Sequence, residues 1–270
     1  YCTGSDQVWN PMLLGGDYYT LTWVDSRRPK VTYASSFGVS EIPASQVKKT
    51  KEYLSRFNMI SVREKQGAEI VEKLTGKKAE VCCDPTVLTD RKRWDELSGD
   101  CPFVSEKYIF CYFIGNNPTQ REFAKKLAQK TGCKILAVKH IDEYIKSDDD
   151  FGDIDYLEVG PKEFVNFIRY ATYVCTDSFH GTIFSIMYNK NFFTFKRFSD
   201  SQKSSMNSRV KNILSIVGLS NRLFEDSITP EAALAYQVDW SDVNKRLNDF
   251  RKSSREYFER AIKCLKGAQE

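Results

Sequence analysis

The stretch Thr176-Asp177-Ser178-Phe179-His180-Gly181-Thr182 joins a strand-like run to a helix-like run, the junction typical of a parallel α/β sheet. Before it, Ala171-Thr172-Tyr173-Val174-Cys175 is β-branched and aromatic, the composition of a short buried strand. After it, Ile183-Phe184-Ser185-Ile186-Met187-Tyr188 supplies the apolar face of a helix. In a parallel α/β fold such a turn lies where the ligand crevice opens, outside the carboxyl ends of the strands. His180 sits in it and is one of 2 histidines in the chain, the other being His140. Ser, His, Gly and Thr together suit a helix N-terminus that holds an anion. The plainer alternative is a turn that merely contains a histidine.

The same alternation extends on both sides. Val31-Thr32-Tyr33-Ala34 reads as a strand, Ala44 to Phe57 as a charged helix and Met59-Ile60-Ser61-Val62 as a strand. Lys65 to Thr75 is a helix stopped by Gly76, and Ala79 to Cys83 a strand closed by Asp84-Pro85. Arg91 to Glu106 is polar and lacks periodicity, the pattern of a linker. Tyr108 to Ile114, Lys134 to Val138 and Asn191 to Phe195 are further strands, with an amphipathic helix over Thr119 to Lys130. His140 ends a strand and reads as structural, and Lys146 to Asp155 as an acidic solvated loop. Pro161-Lys162-Glu163 opens a helix that buries Phe164, Phe167 and Ile168. Asp242 to Leu265 puts Val243, Leu247, Phe250, Tyr257, Ala261 and Leu265 on one face of a long helix. Short strands separated by helices of this length indicate βαβ units and parallel sheets. The expected division is an α/β lobe over 1–100, a second α/β lobe over 101–225 that carries the His180 turn, and a helical segment over 226–270 packed on the lobes.

Composition narrows the function. With 270 residues, 41% hydrophobic and 28% charged, the chain can bury a sizeable core and is not a disordered one. Its 40 basic and 36 acidic side chains leave a net charge of +4, which favours local anion pockets over a nucleic-acid surface. No stretch reaches the roughly 20 apolar residues of a membrane span, and no signal peptide is expected. The cysteines at 2, 82, 83, 101, 111, 133, 175 and 264 form no CxxC pair, so a zinc ribbon lacks support. Cys111 and Cys175 lie inside apolar runs, where a free thiol is a small buried hydrophobe, and the reducing cytoplasm is the expected location. Neither GxxxxGK[ST] nor GxGxxG nor HExxH occurs, and no metal site or cofactor is expected.

Several motifs carry chemistry. In Gly4-Ser5-Asp6-Gln7-Val8-Trp9-Asn10-Pro11 the small residues allow close backbone approach, while Asp6, Gln7 and Asn10 can bind a polar ligand such as a sugar. A capped turn over a buried Trp9 fits the run equally well. Arg63, in Ser61-Val62-Arg63-Glu64, has the planar fork that grips carboxylate or phosphate, although alone it reads better as an ion pair with a neighbour. Asp84-Pro85-Thr86 reads as a strand-ending turn. Lys196 and Arg197 follow a strand and add positive charge, and Arg209 is a weaker cation candidate.

Taken in order, Gly4-Ser5-Asp6-Gln7-Val8-Trp9-Asn10, Tyr33-Ala34-Ser35-Ser36-Phe37-Gly38, Ile60-Ser61-Val62-Arg63-Glu64, Asp84-Pro85-Thr86, Gly160-Pro161-Lys162-Glu163-Phe164 and Thr176 to Thr182 resemble the polysaccharide pyruvyl transferase family. The resemblance implies two Rossmann-like lobes similar to GT-B glycosyltransferases, with the active site between them. The chain starts after the family's first strand–turn–helix, which implies a first lobe without its N-terminal part. It implies a phosphoenolpyruvate donor and a sugar or lipid-linked glycan acceptor that becomes a pyruvate ketal in exopolysaccharide and cell-envelope synthesis. His180 and Arg63 are then the catalytic residues. Ser5, Asp6, Gln7, Asp177, Ser178, Gly181, Thr182, Lys196 and Arg197 are the substrate contacts. The Gly181-Thr182 helix start is expected to help hold the donor, and imidazole, titrating near neutrality, suits the proton transfers. The rival readings are a nucleotide-sugar glycosyltransferase of the same fold and a non-catalytic glycan-binding relative.

Overall fold

A computed structural model of the chain describes residues 1–14, 16–139, 144–156, 158–198 and 207–267. Its elements begin with β1 (Cys2–Thr3), β2 (Val31–Thr32), α1 (Val47–Ser55), β3 (Ser61–Val62), α2 (Lys65–Thr75), β4 (Glu80–Val81) and α3 (Pro85–Leu88). Next come α4 (Arg91–Ser98), β5 (Tyr108–Tyr112), α5 (Pro118–Thr131), β6 (Lys134–Ala137), β7 (Ile154–Asp155), α6 (Pro161–Tyr170), β8 (Tyr173–Thr176) and α7 (Phe179–Met187). The chain closes with β9 (Asn191–Phe195), α8 (Ser208–Ile216), β10 (Leu223–Phe224), α9 (Pro230–Leu234) and α10 (Trp240–Gly267). Among the described residues no helix is long and apolar enough to cross a membrane.

Two compact units emerge, both parallel α/β as the two-lobed reading requires. The first holds 1–88, 198–216 and 245–270, and the second 89–197 and 217–244. This corrects the expected division at 100 and 225. The segment 198–216 returns to the first unit, and so does most of α10. Asn212 of α8 donates to the Arg63 carbonyl and accepts from the Lys65 amide. Tyr257 of α10 donates to the Thr32 carbonyl, and Tyr257 and Ala261 pack against Val31, Tyr33, Ala34 and Cys82. Helical periodicity exposes an apolar face in the sequence but does not say which sheet that face covers.

In the first unit the parallel pairs β1–β2 and β3–β4 are joined by parallel bridges between Val31 and Met59 and between Ser35 and Val62. Side chains stitch β2 to β3: Thr32 Oγ1 donates to the Ser61 carbonyl, and Ser61 Oγ donates to the Thr32 carbonyl. Trp9 anchors the core, tilted against Phe37, Tyr53 and Phe57. So the Gly4–Pro11 run does bury its tryptophan, and its polar residues are left at the strand ends.

The second unit has a six-stranded parallel sheet in the order β10-β9-β8-β5-β6-β7. This is the 3-2-1-4-5-6 order of doubly wound sheets, whose direction of winding reverses between β5 and β8. Phe193, 1% exposed, packs against Phe123 and Phe224. Cys111 and Cys175 are buried opposite each other on β5 and β8. The stretch expected as a linker contains α4, which packs Trp94 edge-on to Phe184 and carries Asp95, the acceptor of the Tyr188 hydroxyl. Its few anchoring residues are hidden among charges in the sequence. Nor is 146–155 only a solvated loop: β7 pairs with β6, and Asp148 accepts from the buried Arg121. His140 lies outside the described residues.

Two outcomes follow from this packing. Phe193→Ala costs about 3–5 kcal/mol, the usual loss for an emptied aromatic site, read as a lower midpoint in denaturant unfolding. The Cys82 thiol is pushed up to about 12, chiefly by burial. Iodoacetamide at mildly alkaline pH therefore labels exposed Cys101 early, and Cys82 only on unfolding, as peptide mass spectrometry would show.

Candidate functional site

In the first unit the motif residues gather at the carboxyl ends of the strands, because each motif directly follows one. Asp84, just past β4, is buried and accepts from Ser5 Oγ at 2.8 Å, Arg63 Nη1 at 2.8 Å, and the Thr86 amide and hydroxyl at 3.0 and 2.8 Å. Arg63, just past β3, is equally buried, and its other terminal nitrogen reaches Asp6 Oδ1 at a longer 3.4 Å. The Asp6 side chain is 68% exposed and its backbone has φ +76°. Beside them Glu64, fully buried, accepts from Ser36 Oγ at 2.7 Å and the Gly38 amide at 3.3 Å. Burial and the neighbouring Cys83 raise the Tyr33 phenol far above its ordinary range, so it stays neutral beside this cluster.

In the second unit the His180 turn lies where the sheet reverses its winding. Asp177 follows β8, and its carboxylate accepts from the backbone amides of Ile114 and Gly115, each at 2.7 Å, at the end of neighbouring β5. Arg197 follows β9 and brings Nε to 3.9 Å from the same carboxylate. Ser178 caps α7 by accepting from the Gly181 amide at 3.3 Å. Gly181 faces Thr176 so closely that a Cβ would lie 2.5 Å from its hydroxyl. Thr182 is buried, its amide and hydroxyl both donating to the Ser178 carbonyl. His180 is half-buried near the start of α7, edge-on to Phe179.

The structure therefore sorts the expected residues. It brings Ser5, Asp6 and Arg63 together in one unit, and Asp177 and Arg197 together in the other. The Gly181 and Thr182 amides are used within the helix start, which corrects the expectation that they face an anion: a capped helix satisfies those donors itself. Both Asp177 oxygens already accept backbone amides, so its first role is to hold two strand ends together. Lys196 is paired with Glu225 at the rim of the unit. Asp84, which alone in the sequence looks like a turn, is the hub of the first cluster. Its one signal was a place in the motif order.

The family model described as polysaccharide pyruvyl transferase matches residues 1–197. No curated relative matches the sequence. Among solved structures, one described as a UDP-N-acetylglucosamine 2-epimerase from Listeria monocytogenes is 11% identical, with TM-score 0.52 over 93% of this chain and 67% of that one. A wall teichoic acid polymerase, TagF, is 12% identical with TM-score 0.45, over 89% of this chain and 73% of that one. At such identity the first shares the fold and nothing more, while the family match covers the motifs themselves.

Arg63→Leu leaves the Asp84 carboxylate buried without its cation and costs about 3–5 kcal/mol, the scale for breaking a buried pair from one side. A double-mutant cycle with Asp84→Asn gives a coupling well above the scatter of independent sites. Gly181→Ala crowds Thr176 and costs about 1–3 kcal/mol, visible as a lower melting midpoint.

Proposed function

The chain belongs to the polysaccharide pyruvyl transferase family, and on that premise we propose that it transfers the pyruvyl group of phosphoenolpyruvate to a pair of sugar hydroxyls. The product is a pyruvate ketal on a cell-surface glycan precursor, and the by-product is inorganic phosphate. The observation that carries the reading is where the matched residues stand. Asp6, Arg63 and Asp84 on one unit, and Asp177, His180 and Arg197 on the other, all lie just beyond the carboxyl ends of parallel strands, the position of ligand sites in such sheets.

The chemistry assigns roles to them. The methylene carbon of the donor gains a proton, which makes C2 electrophilic. One sugar hydroxyl attacks C2, phosphate leaves with the electrons of its C2–O bond, and the second hydroxyl closes the ketal. The two hydroxyl protons balance the one taken by carbon and the one that leaves with phosphate. His180, half-buried on the first turn of α7, is the proposed proton-transfer group. Arg63 is the proposed donor-binding cation. Its bond to Asp84 is short and buried, whereas Asp6 is exposed and distant enough for an incoming anion to displace it. Ser5, Gln7, Lys196 and Arg197 are further contacts, while Ser178, Gly181 and Thr182 act by holding the turn in shape. The reading places the reaction in the cytoplasm and needs no resident cofactor.

Calorimetric titration of phosphoenolpyruvate, together with acceptor-dependent phosphate release, tests it. The wild type binds saturably and Arg63→Ala does not. His180→Ala binds but turns over roughly 10²- to 10⁴-fold more slowly, the scale of a lost general acid–base group. A folded protein that ignores phosphoenolpyruvate and binds a nucleotide sugar would overturn the proposal in favour of glycosyl transfer.

A further inference from the structure

In pyruvyl transfer the sugar hydroxyl that attacks C2 must lose its proton, a step separate from protonation of the methylene carbon. A carboxylate with an oxygen to spare can take that proton. The carboxylates of the two clusters differ in this respect. Asp84 is buried, with Oδ1 accepting from the Thr86 amide and hydroxyl and Oδ2 from Ser5 and Arg63. Both Asp177 oxygens accept backbone amides. Glu64 uses one oxygen to accept from Ser36 and Gly38, and its other oxygen is sealed from solvent. Asp6 differs from all of them. Its side chain is 68% exposed, and among the described residues its carboxylate meets Arg63 alone, through Oδ1 at 3.4 Å.

The backbone fixes where that carboxylate stands. Asp6 has φ +76°, in the left-handed region, and Ala34, just past neighbouring β2, has φ +51°. Such a backbone is unfavourable for a residue with a Cβ and persists only where its surroundings hold it. Here the Asp6 carbonyl accepts from the Ser36 amide at 2.9 Å, Asp6 bridges Ser35, and Ser5 is tied to Asp84. Glycine would take this conformation freely; the residue present instead carries a carboxylate to the open side of the strand end. There is room beside it, since a Cβ on Gly4 would meet nothing within 4 Å.

We infer that Asp6 is the base that takes the proton of the attacking sugar hydroxyl. The assignment rests on the pyruvyl-transfer reading and deepens it. When the donor's anion takes the guanidinium of Arg63, the long contact to Asp6 gives way and the carboxylate is released to the hydroxyl. The O–H bond breaks as the O–C2 bond forms, and the proton rests on an Asp6 oxygen. The bond from C2 to the phosphate oxygen then breaks with its electron pair. Asp6 gives its proton to the departing phosphate, which restores the carboxylate. The proton of the second hydroxyl replaces the one that the methylene carbon took from His180, so no further reactant is needed.

The test measures phosphate release from phosphoenolpyruvate with a panel of methyl hexopyranosides as acceptors, alongside calorimetric titration of phosphoenolpyruvate and melting curves. Asp6→Asn keeps the size of the side chain and Asp6→Gly relieves the left-handed backbone, so both variants stay folded. Each binds phosphoenolpyruvate at least as tightly as the wild type, because the competing carboxylate at Arg63 is gone. Each turns over roughly 10²- to 10⁴-fold more slowly, the scale of a lost general base. Added formate restores turnover in Asp6→Gly by standing in for the missing carboxylate, a rescue that a merely structural side chain would not show. Turnover near the wild-type rate in Asp6→Asn, loss of phosphoenolpyruvate binding in both variants, or a slow Asp6→Gly that formate does not restore overturns the assignment and leaves pyruvyl transfer standing. A wild type that neither binds phosphoenolpyruvate nor releases phosphate from it sinks pyruvyl transfer itself, and the base with it.

Discussion

The edge of the first sheet depends on the buried Asp84 carboxylate. Its strands are 2 residues long, too short for their own ladders to set their ends accurately. Asp84 supplies what the ladders lack. It collects Ser5 from the end of β1, Arg63 from the end of β3 and Thr86 from the chain beyond β4. Taking a carboxylate out of water costs several kcal/mol unless donors surround it, so the charge is stable there only while those strand ends stay together. The same requirement keeps Arg63 at the edge of the sheet with one side of its fork against Asp84 and the other toward the exposed Asp6.

Asp177 does comparable work in the second unit by a different route. Its partners are backbone amides, and they lie just past the end of β5, the strand across the reversal point of the sheet. A carboxylate fixed to β5 in this way defines where Ser178 starts α7, and hence where His180 stands on the first turn. Thr182, tied to Thr194 of β9 at 3.1 Å, braces the same turn from the other side. The small residues of the His180 motif thus have packing reasons of their own. That is why a motif can be informative without each of its members touching a ligand.

Family and fold carry different weight. A solved structure at 11% identity shares the parallel α/β architecture, which many chemistries use, so the fold speaks weakly about reaction. The family match speaks more directly, because its span includes the groups placed beyond the strand ends.

Much of this was legible in the chain. Gly76 ends α2 where the reading put it, Gly132 ends α5 just past the expected helix over Thr119 to Lys130, and β9 spans Asn191–Phe195 as expected. Local rules suffice for such features, since side-chain periodicity and a left-handed glycine act within a few residues of themselves. The alternation of these elements established the α/β class, and the His180 turn marked a strand end. Tertiary structure alone decided the rest: that 198–216 rejoins the first unit, and that Asp84 is a hub and not a simple turn. The physical reason is the range of the forces involved. A turn or a helix is specified by neighbours along the chain, whereas a buried charge or a shared acceptor is specified by groups that become neighbours only once the chain has folded back on itself.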